Sequence, residues 1–244
     1  MLSNSFNRSK RVTAISKGYL QWASTFFGPG IKSDYFYLAA DLDEVRSFAD
    51  KVNQGEKKDH PEDIRLIYAG SLASSYDLPC ILEAAEILSQ QYPGRTKFII
   101  TGLGPQKELV ETYQSKLDNI EYLGWVSKEE LIRQYYLADV GLIQHKNNLT
   151  QTVTYKLFNY VSAGMAVLNS LESEMMEIVE TKELGLNNPP QQPQQLAKNI
   201  AYLLNNPEVL KRCQQNATTF VEEEGDNKVV YKKLVQFIID EQVD

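Results

Sequence analysis

Short turns that contain glycine are the features of this sequence best suited to bind a ligand. Three such turns directly follow apolar runs: Gly70-Ser71, Gly102-Leu103-Gly104 and Gly124-Trp125-Val126. A fourth candidate turn, which has no glycine, spans residues 145–156. Glycine lets the backbone approach a phosphate closely, and the N-terminus of a following helix presents further N–H donors. The sequence therefore predicts a ligand crevice lined by backbone amides.

The glycine turn at residues 102–104 matches the dinucleotide-binding fingerprint G-x-G-x-x-G only in part. Lys107 stands where the third glycine would be, and Pro105 occupies the turn. Since the third glycine allows close packing of the helix on the strand, its absence argues against a nicotinamide enzyme.

Metal and cysteine chemistry are also disfavoured. Cys80 and Cys213 lie far apart in the sequence, and His60 and His145 are the only histidines. This set supplies neither the usual ligands of a zinc site nor a paired Cys/His nucleophile. We expect no metal and no cofactor, and we expect His145 to end a strand instead of acting in catalysis.

Apolar runs that alternate with segments of helical periodicity indicate an α/β fold. We interpret five runs as strands, at residues 64–69, 97–101, 120–123, 140–143 and 166–168. Between the first two runs, apolar residues recur with the spacing of one helix face, at Leu78, Ile81, Leu82, Ala85 and Leu88. Repeated βα units predict a doubly wound, Rossmann-like parallel sheet, followed by three C-terminal helices.

The first 60 residues do not follow this pattern. We expect a strand at residues 11–15, a helix at 16–27, a short strand at 35–38 and a charged linker at 56–63. The chain of 244 residues carries a net charge of −7, but residues 1–33 hold five basic residues and no acidic one. We therefore expect two units, residues 1–60 and 61–244, with a distinct basic surface on the first.

Charge and hydropathy also limit the partners and the location. A net acidic chain is a poor match for nucleic acid. Because no apolar run approaches the roughly 20 residues of a spanning helix and no secretory signal is recognisable, we expect a cytoplasmic protein. Residues 1–33 interleave basic residues with aromatic ones, which predicts contact with the inner face of a membrane or with another half-domain.

Five segments in sequence order carry a family resemblance: YAGSLASSYDLPCILEAAEIL, FIITGLGPQKELVE, NIEYLGWVSKEELIRQYYLADVGLI, TYKLFNYVSAGMAVLNS and EMMEIVE. Together they resemble the C-terminal, donor-binding domain of retaining bacterial glycosyltransferases with the GT-B fold, the glycosyl transferases group 1 or family 4-like enzymes. Five motifs in the right order are more specific than any one of them. The resemblance implies that residues 1–60 are a remnant of an N-terminal, acceptor-side domain.

This resemblance assigns positions to a nucleotide-sugar donor. The first glycine turn would approach the diphosphate, the second would leave room for the nucleotide, and the third would contact the base. The turn at residues 170–174 would lie near the sugar. The implied donor-binding residues are Gly70, Ser71, Gly102, Gly104, Gly124, Trp125, Val126, Thr152 and Asn159. Ordinary βα turns, and a Trp125 buried in the core, are the alternatives.

The chain departs from the family pattern near residues 151–160. Many relatives place two glutamates there, separated by seven residues, and the matching positions here are Gln151 and Asn159. Amides keep hydrogen-bonding capacity without charge, so we expect weaker ribose binding. Lys156 is the cation that remains for the diphosphate, unless it is a solvated surface lysine. Lys156 and Gln151 are the candidate catalytic residues.

The function implied by the resemblance is transfer of a hexose from a nucleotide sugar, a UDP-sugar in preference to a GDP-sugar, to a surface glycan or lipid-linked acceptor. The acceptor site would lie on an N-terminal half, and a split subunit on a separate chain, a shortened reading frame or a fragment of a longer protein would each account for the short N-terminal unit. The alternative is a non-catalytic module that binds a nucleotide or a partner and regulates polysaccharide assembly. The lost carboxylates favour the module, whereas the glycine turns, Trp125 and Lys156 favour the enzyme.

Overall fold

A computed structural model describes residues 5, 6, 8–52, 62–146 and 152–239, with the backbone alone for residues 48–52. The described residues up to 52, here called the N-terminal segment, contain β1 (Arg11–Ala14), α1 (Lys17–Ser24), β2 (Lys32–Tyr35) and α2 (Leu42–Val52). The two strands pair in parallel, with Arg11 opposite Lys32. The Ser16 side chain begins α1 by accepting a hydrogen bond from the Tyr19 N–H.

The predicted strand at residues 35–38 is wrong in position, because β2 lies at Lys32–Tyr35. The aromatic residues that suggested a strand serve a different purpose. Tyr37 is buried and its hydroxyl donates a hydrogen bond to Glu174 Oε1, 2.9 Å away, far along the chain. Tertiary contact, and not strand pairing, thus accounts for the apolar character of residues 35–38. The predicted charged linker lies largely outside the described residues.

A six-stranded parallel sheet forms the centre of the molecule. Its strands in sequence are β3 (Ile64–Ala69), β4 (Thr96–Thr101), β5 (Ile120–Gly124), β6 (Val140–Ile143), β7 (Ala166–Asn169) and β8 (Gly185–Asn187). The spatial order is β5-β4-β3-β6-β7-β8. The chain therefore winds outward from β3 in one direction and then from β6 in the other, which is the doubly wound order. The predicted fold class and the five predicted strands are confirmed, and the short edge strand β8 was not predicted.

Helices connect these strands. They are α3 (Leu78–Gln91), α4 (Lys107–Gln114), α5 (Lys128–Leu137), α6 (Tyr155–Ser162) and α7 (Glu174–Thr181), followed by α8 (Pro193–Asn205), α9 (Pro207–Phe220), a π-helical turn (Val221–Gly225) and α10 (Asn227–Ile239). The three predicted C-terminal helices are confirmed. Within the described part of the chain, no helix has the length and apolar character needed to cross a membrane.

The core divides into two layers, one on each face of the sheet. Leu66 and Tyr68 of β3 face a layer that includes α3 and α8, whereas Ile67 and Ala69 face a layer that includes α6 and α7. Side chains along a strand point alternately to opposite faces, so strands buried on both faces read as continuous apolar runs. This is why the strands were visible in the sequence.

Candidate functional site

The direction of strand order reverses between β3 and β6, and this switch point positions the candidate site. Gly70 directly follows β3, and the chain leaves β6 through Gln144 and His145. The two connections are joined: the Asp77 N–H donates to the Gln144 carbonyl (3.1 Å), and the Lys146 N–H donates to the Ser75 carbonyl (3.1 Å). In doubly wound sheets the crevice outside the carboxyl ends at such a point binds ligands.

Gly102 and Gly104 allow the turn after β4 to pack against the backbone of the turn after β3. Gly70 and Gly102 have φ values of +136° and +134°. A Cβ atom on Gly102 would lie 1.8 Å from the Gly70 carbonyl oxygen, and one on Gly104 would lie 2.6 Å from the Leu72 carbonyl carbon. Only glycine satisfies both the left-handed conformation and the contact. The structure therefore brings the first two predicted turns together.

The backbone N–H groups of Gly70 and Gly102 already donate hydrogen bonds within the protein. The Gly70 N–H donates to the Thr101 carbonyl (3.0 Å), and the Gly102 N–H donates to the Gly124 carbonyl (2.8 Å). Ser71 is exposed beside them. The predicted contact between the Gly70 amide and a diphosphate therefore competes with an existing hydrogen bond, which leaves Ser71 as the better placed donor of the pair.

The third turn lies at the edge of this group. Gly124 has a φ of +65°, and its carbonyl also accepts a hydrogen bond from the Thr101 hydroxyl at 2.7 Å. Trp125 has 74% of its surface exposed, so the interpretation of Trp125 as a core residue is wrong. Val126 is half-buried. An exposed indole beside the crevice is available for stacking against a planar ligand group.

Lys156 extends from α6 into the switch point. Its side chain is buried, with 8% of the residue exposed, and a Cβ on Gly70 would lie 2.6 Å from its Nζ. The Nζ atom lies over the rings of Tyr76 (4.2 Å from the centroid) and Tyr68 (4.9 Å). Among the residues that the structure describes, no carboxylate forms an ion pair with it. Burial lowers the pKa of Lys156 to about 8. The interpretation of Lys156 as a solvated surface lysine is therefore wrong.

Local sequence explains how α6 holds this lysine. Thr154 begins the helix, and its hydroxyl accepts a hydrogen bond from the Lys156 N–H at 3.4 Å. One turn further, the buried Tyr160 accepts a hydrogen bond from the Ala69 N–H at the end of β3 (3.0 Å). The Tyr160 ring also covers Gly141 in β6, where a Cβ would lie 2.2 Å from a ring carbon. These contacts fix α6 across the strands at which the sheet order reverses.

His145 lies two residues beyond the end of β6, close to the predicted strand end, and forms an isolated bridge with Tyr76. It is 1% exposed, and its ring lies 4.8 Å from that of Tyr76. In the described part of the chain, neither ring nitrogen has a hydrogen-bond partner. Burial, with a smaller contribution from the nearby Lys156 charge, lowers the pKa of His145 to about 4. The imidazole is therefore neutral at physiological pH.

The other predicted residues near α6 lie apart from this cluster. The Thr152 hydroxyl lies 2.5 Å from the hydroxyl of Ser16 in the N-terminal segment. Asn159 is exposed and lies near Tyr135 of α5. Gln151 lies outside the described residues. The predicted donor-binding roles of Thr152 and Asn159 and the predicted catalytic role of Gln151 stay predictions.

Comparison with known proteins identifies the family. The sequence matches the family described as Glycosyl transferases group 1 over residues 50–220. The chain belongs to this family. No curated protein sequence matches the chain.

Solved structures of other proteins share the fold of this chain. Anabaena HepE in complex with UDP has a TM-score of 0.77 at 15% identity, covering 97% of this chain and 65% of that chain. Sucrose-phosphate synthase from Thermosynechococcus elongatus has a TM-score of 0.73 at 16% identity, covering 97% and 59%. The present chain thus spans less than two thirds of either protein. The shared fold is that of GT-B glycosyltransferases.

A third structure corresponds to a similar portion of a group 1 protein. The C-terminal domain of a glycosyl transferase group 1 family protein from Francisella tularensis has a TM-score of 0.56 at 18% identity. That match covers 77% of this chain and 94% of that domain.

The group 1 chain also has a cavity of about 190 Å³ at the carboxyl ends of β7 and β8. It includes residues of the turn that was predicted to lie near the donor sugar, and amide side chains line much of it. The amides are already paired: Asn169 Nδ2 donates to Asn187 Oδ1 at 2.9 Å, and Asn188 exchanges hydrogen bonds with Gln144. The lining residues are Asn169, Ser170, Leu171, Glu172, Met176, Asn187, Asn188 and Pro189.

Glu174 ends the turn that the resemblance placed near the donor sugar, and its side chain reaches the N-terminal segment. Its carboxylate accepts hydrogen bonds from the N–H groups of Lys17 (3.0 Å) and Gly18 (2.9 Å) and from the Tyr37 hydroxyl (2.9 Å). These partners lie more than 130 positions away in sequence, so no local pattern could reveal them. Across the described residues, no cluster of histidine, cysteine and carboxylate side chains suits a metal ion.

Proposed function

We propose that this chain is the donor-binding half of a retaining glycosyltransferase, which transfers a hexose from a UDP-sugar to a surface glycan or lipid-linked acceptor. The observation that carries this proposal is the Lys156 ammonium at the switch point, which no carboxylate among the described residues neutralises. Solved relatives support UDP as the nucleotide. Anabaena HepE was crystallised with UDP and with UDP-glucose, and S. aureus TarM with UDP.

The chemistry assigned to Lys156 is stabilisation of the leaving group. As the bond between the anomeric carbon and the diphosphate breaks, negative charge grows on the departing UDP. A fixed ammonium in a site shielded from water stabilises that charge more than water does. Ser71, exposed beside Gly70, is placed to donate a further hydrogen bond to the same group.

Calorimetry with UDP and uridine tests the proposal. Lys156→Ala removes a charge-assisted contact worth about 1.5–3 kcal/mol, so we expect UDP binding to weaken about 10-fold to 100-fold while uridine binding stays unchanged. Lys107→Ala is the matched control, because Lys107 lies on α4 and is paired with Glu111 at 3.4 Å. Equal losses for UDP and uridine would place Lys156 away from the phosphates.

GDP distinguishes the proposed nucleotide from the alternative function. Tighter binding of UDP than of GDP supports the assignment of the base. A chain that binds neither nucleotide at millimolar concentration would instead support the non-catalytic module that regulates polysaccharide assembly.

Asn159 is proposed to meet the ribose. Asn159 is exposed on α6, so a ligand hydroxyl can reach its side chain. Asn159→Ala should weaken UDP and uridine by similar factors, and Asn159→Glu should tighten both by adding an anionic acceptor. No effect of either substitution on uridine would remove Asn159 from the site. Thr152 stays in the proposal as a donor-binding residue, and Gln151 stays in it as a candidate catalytic residue.

The acceptor site is proposed to lie on an N-terminal half, with residues 1–60 on the acceptor side and residues 61–244 as the donor-binding domain. Two features support this division. The chain spans 65% of the length of HepE. Among the described strands, β1 pairs only with β2. Because an isolated two-stranded sheet is only marginally stable, contact with a further half would stabilise it. The isolated chain should therefore bind UDP without transferring sugar, and transfer by the chain alone would contradict the proposal.

The surface proposed to dock that half lies on the N-terminal segment. Trp22 is 53% exposed and its ring lies 5.0 Å from that of Phe26, which in turn lies 6.2 Å from Phe6. Ile15, at the end of β1, is 45% exposed. The exposed Trp22, which packs on partly buried phenylalanine rings, together with the exposed Ile15, suits a protein partner.

Vesicle co-sedimentation tests the alternative partner, a membrane. We expect no more than weak binding to vesicles with or without anionic lipid. Strong binding that needs anionic lipid would instead assign the basic residues of the segment to peripheral attachment at the inner membrane face.

A further inference from the structure

Aromatic faces, and not carboxylates, surround the buried Lys156 ammonium. Its Nζ lies 4.2 Å from the Tyr76 ring centroid and 4.9 Å from that of Tyr68. A ring face stabilises a cation through its quadrupole and leaves the net positive charge in place. A carboxylate partner would cancel that charge. The arrangement therefore keeps a localised positive charge beside Gly70.

The two rings are themselves fixed by the glycine turns. The Tyr68 hydroxyl donates a hydrogen bond to the Ser71 carbonyl at 2.6 Å, which ties its ring to the first turn. The Tyr76 carbonyl accepts a hydrogen bond from Gln106 Nε2 at 3.1 Å, which connects the Tyr76 backbone to the end of the second glycine turn. The rings meet edge to face, with centroids 5.9 Å apart. The positions of Tyr76 and Lys156 are therefore set by the same turns that form the crevice.

Tyr68, Tyr76 and His145 together surround the Lys156 ammonium and are here called the enclosure. The buried ring of His145 contacts Tyr76, and neither of its nitrogens has a hydrogen-bond partner among the residues that the structure describes. Burying unpaired polar atoms costs free energy, and sites that keep such atoms are often functional. Because the imidazole is neutral, it packs near Lys156 without adding a second positive charge. Among the residues that the structure describes around this lysine, the charge on Lys156 is therefore the one charge of the enclosure.

We propose that Tyr76 is a positioning residue, which holds the Lys156 ammonium over Gly70 so that the lysine meets the phosphoryl group of the nucleotide. This inference rests on the nucleotide-sugar function proposed above. Tyr76 acts through Lys156 and touches no substrate. Its ring is the essential part, since no hydrogen bond of its hydroxyl contributes to the enclosure.

Binding measurements on ring-retaining and ring-removing variants test this role. Tyr76→Phe keeps the ring face and should leave UDP and uridine binding unchanged. Tyr76→Leu removes the face, and we expect about tenfold weaker UDP binding with unchanged uridine binding. Equal losses in the two variants, or equal losses for UDP and uridine in Tyr76→Leu, would overturn the proposal.

A measurement without ligand separates this inference from the proposed function. In protein labelled with ¹³C-lysine, the Lys156 side-chain resonances report its titration. Loss of the Tyr76 ring destabilises the ammonium, so Tyr76→Leu should lower the titration midpoint by about one pH unit, and Tyr76→Phe should not change it. An unchanged midpoint in Tyr76→Leu would overturn the positioning role even if UDP binds. A lowered midpoint in a protein that binds no nucleotide would support positioning and reject the function.

A matched control comes from the surface of α4. The Lys116 Nζ lies 6.0 Å from the Tyr113 ring centroid, which makes a second lysine and tyrosine pair away from the crevice. Tyr113→Leu should leave both UDP binding and the Lys156 titration unchanged. A Tyr113→Leu effect as large as that of Tyr76→Leu would show a general loss of stability and overturn the specific assignment.

Discussion

Glu174 Oε2 lies 2.9 Å from the backbone nitrogen of Gly18 and accepts its hydrogen bond, so a carboxylate of α7 lies at the N-terminus of α1. The other oxygen of the same carboxylate binds the Lys17 N–H and the Tyr37 hydroxyl. A negative charge at a helix N-terminus is stabilised both by the unpaired N–H groups and by the helix dipole. One side chain therefore fastens the N-terminal segment to the parallel-sheet domain.

Removing the charge of Glu174 should loosen this attachment. Glu174→Gln leaves one acceptor oxygen and places an amide N–H₂ beside backbone donors, so we expect a loss of about 1.5–3 kcal/mol in the free energy of unfolding. Urea titration measures that loss, and hydrogen exchange should show faster exchange in α1. Glu177→Gln is the control: Glu177 forms an exposed ion pair with Lys17 at 3.6 Å, which is worth less than about 1 kcal/mol. Equal losses in the two variants would contradict the role of Glu174.

A second contact in the same interface depends on the absence of a side chain. A Cβ on Gly18 would lie 2.5 Å from Thr152 Cγ2. Gly18→Ala should therefore destabilise the chain by about 1–3 kcal/mol through overpacking. Thr152→Ser removes Cγ2 and keeps the hydroxyl that pairs with Ser16, so the double variant should recover most of the loss. Additive losses in a double-mutant cycle, measured by urea unfolding, would show that the clash does not involve Thr152.

The glycines of the crevice differ in what constrains them, and this difference predicts unequal effects. Gly102→Ala places a Cβ against the Gly70 carbonyl at a φ of +134°, and we expect a loss of about 3 kcal/mol or more. Gly124 has a φ of +65°, and no atom lies within 4 Å of the position that a Cβ would take, so Gly124→Ala should cost only about 1 kcal/mol. Thermal unfolding of the two variants compares these losses. Equal melting temperatures would show that the turns separate in solution.

Sequence reasoning succeeded where local signals and burial agree. The strand at Ile64–Ala69 is apolar on both faces, and glycine turns follow strands, so both the sheet and the turns could be predicted. It failed where distant residues decide the outcome. The Tyr37 hydroxyl meets Glu174, and the exposed Trp125 could equally have been a core residue. Tyr76 as a neighbour of Lys156 was likewise hidden, because the contact joins the connections after β3 and β6.

Nucleotide affinity should depend on pH through Lys156. Burial lowers the pKa of Lys156 to about 8, so the free site loses its positive charge as the pH rises through that value. His145, with a pKa lowered to about 4, stays neutral throughout, and burial raises the pKa of Tyr68, which stays protonated. We therefore expect UDP affinity to be constant between pH 7 and 7.5 and to fall by up to tenfold at pH 9, with uridine affinity unchanged. The arginine of Lys156→Arg keeps its charge over this range, so this variant should show no fall in UDP affinity with pH. A fall of equal size in the arginine variant would assign the pH dependence to another group.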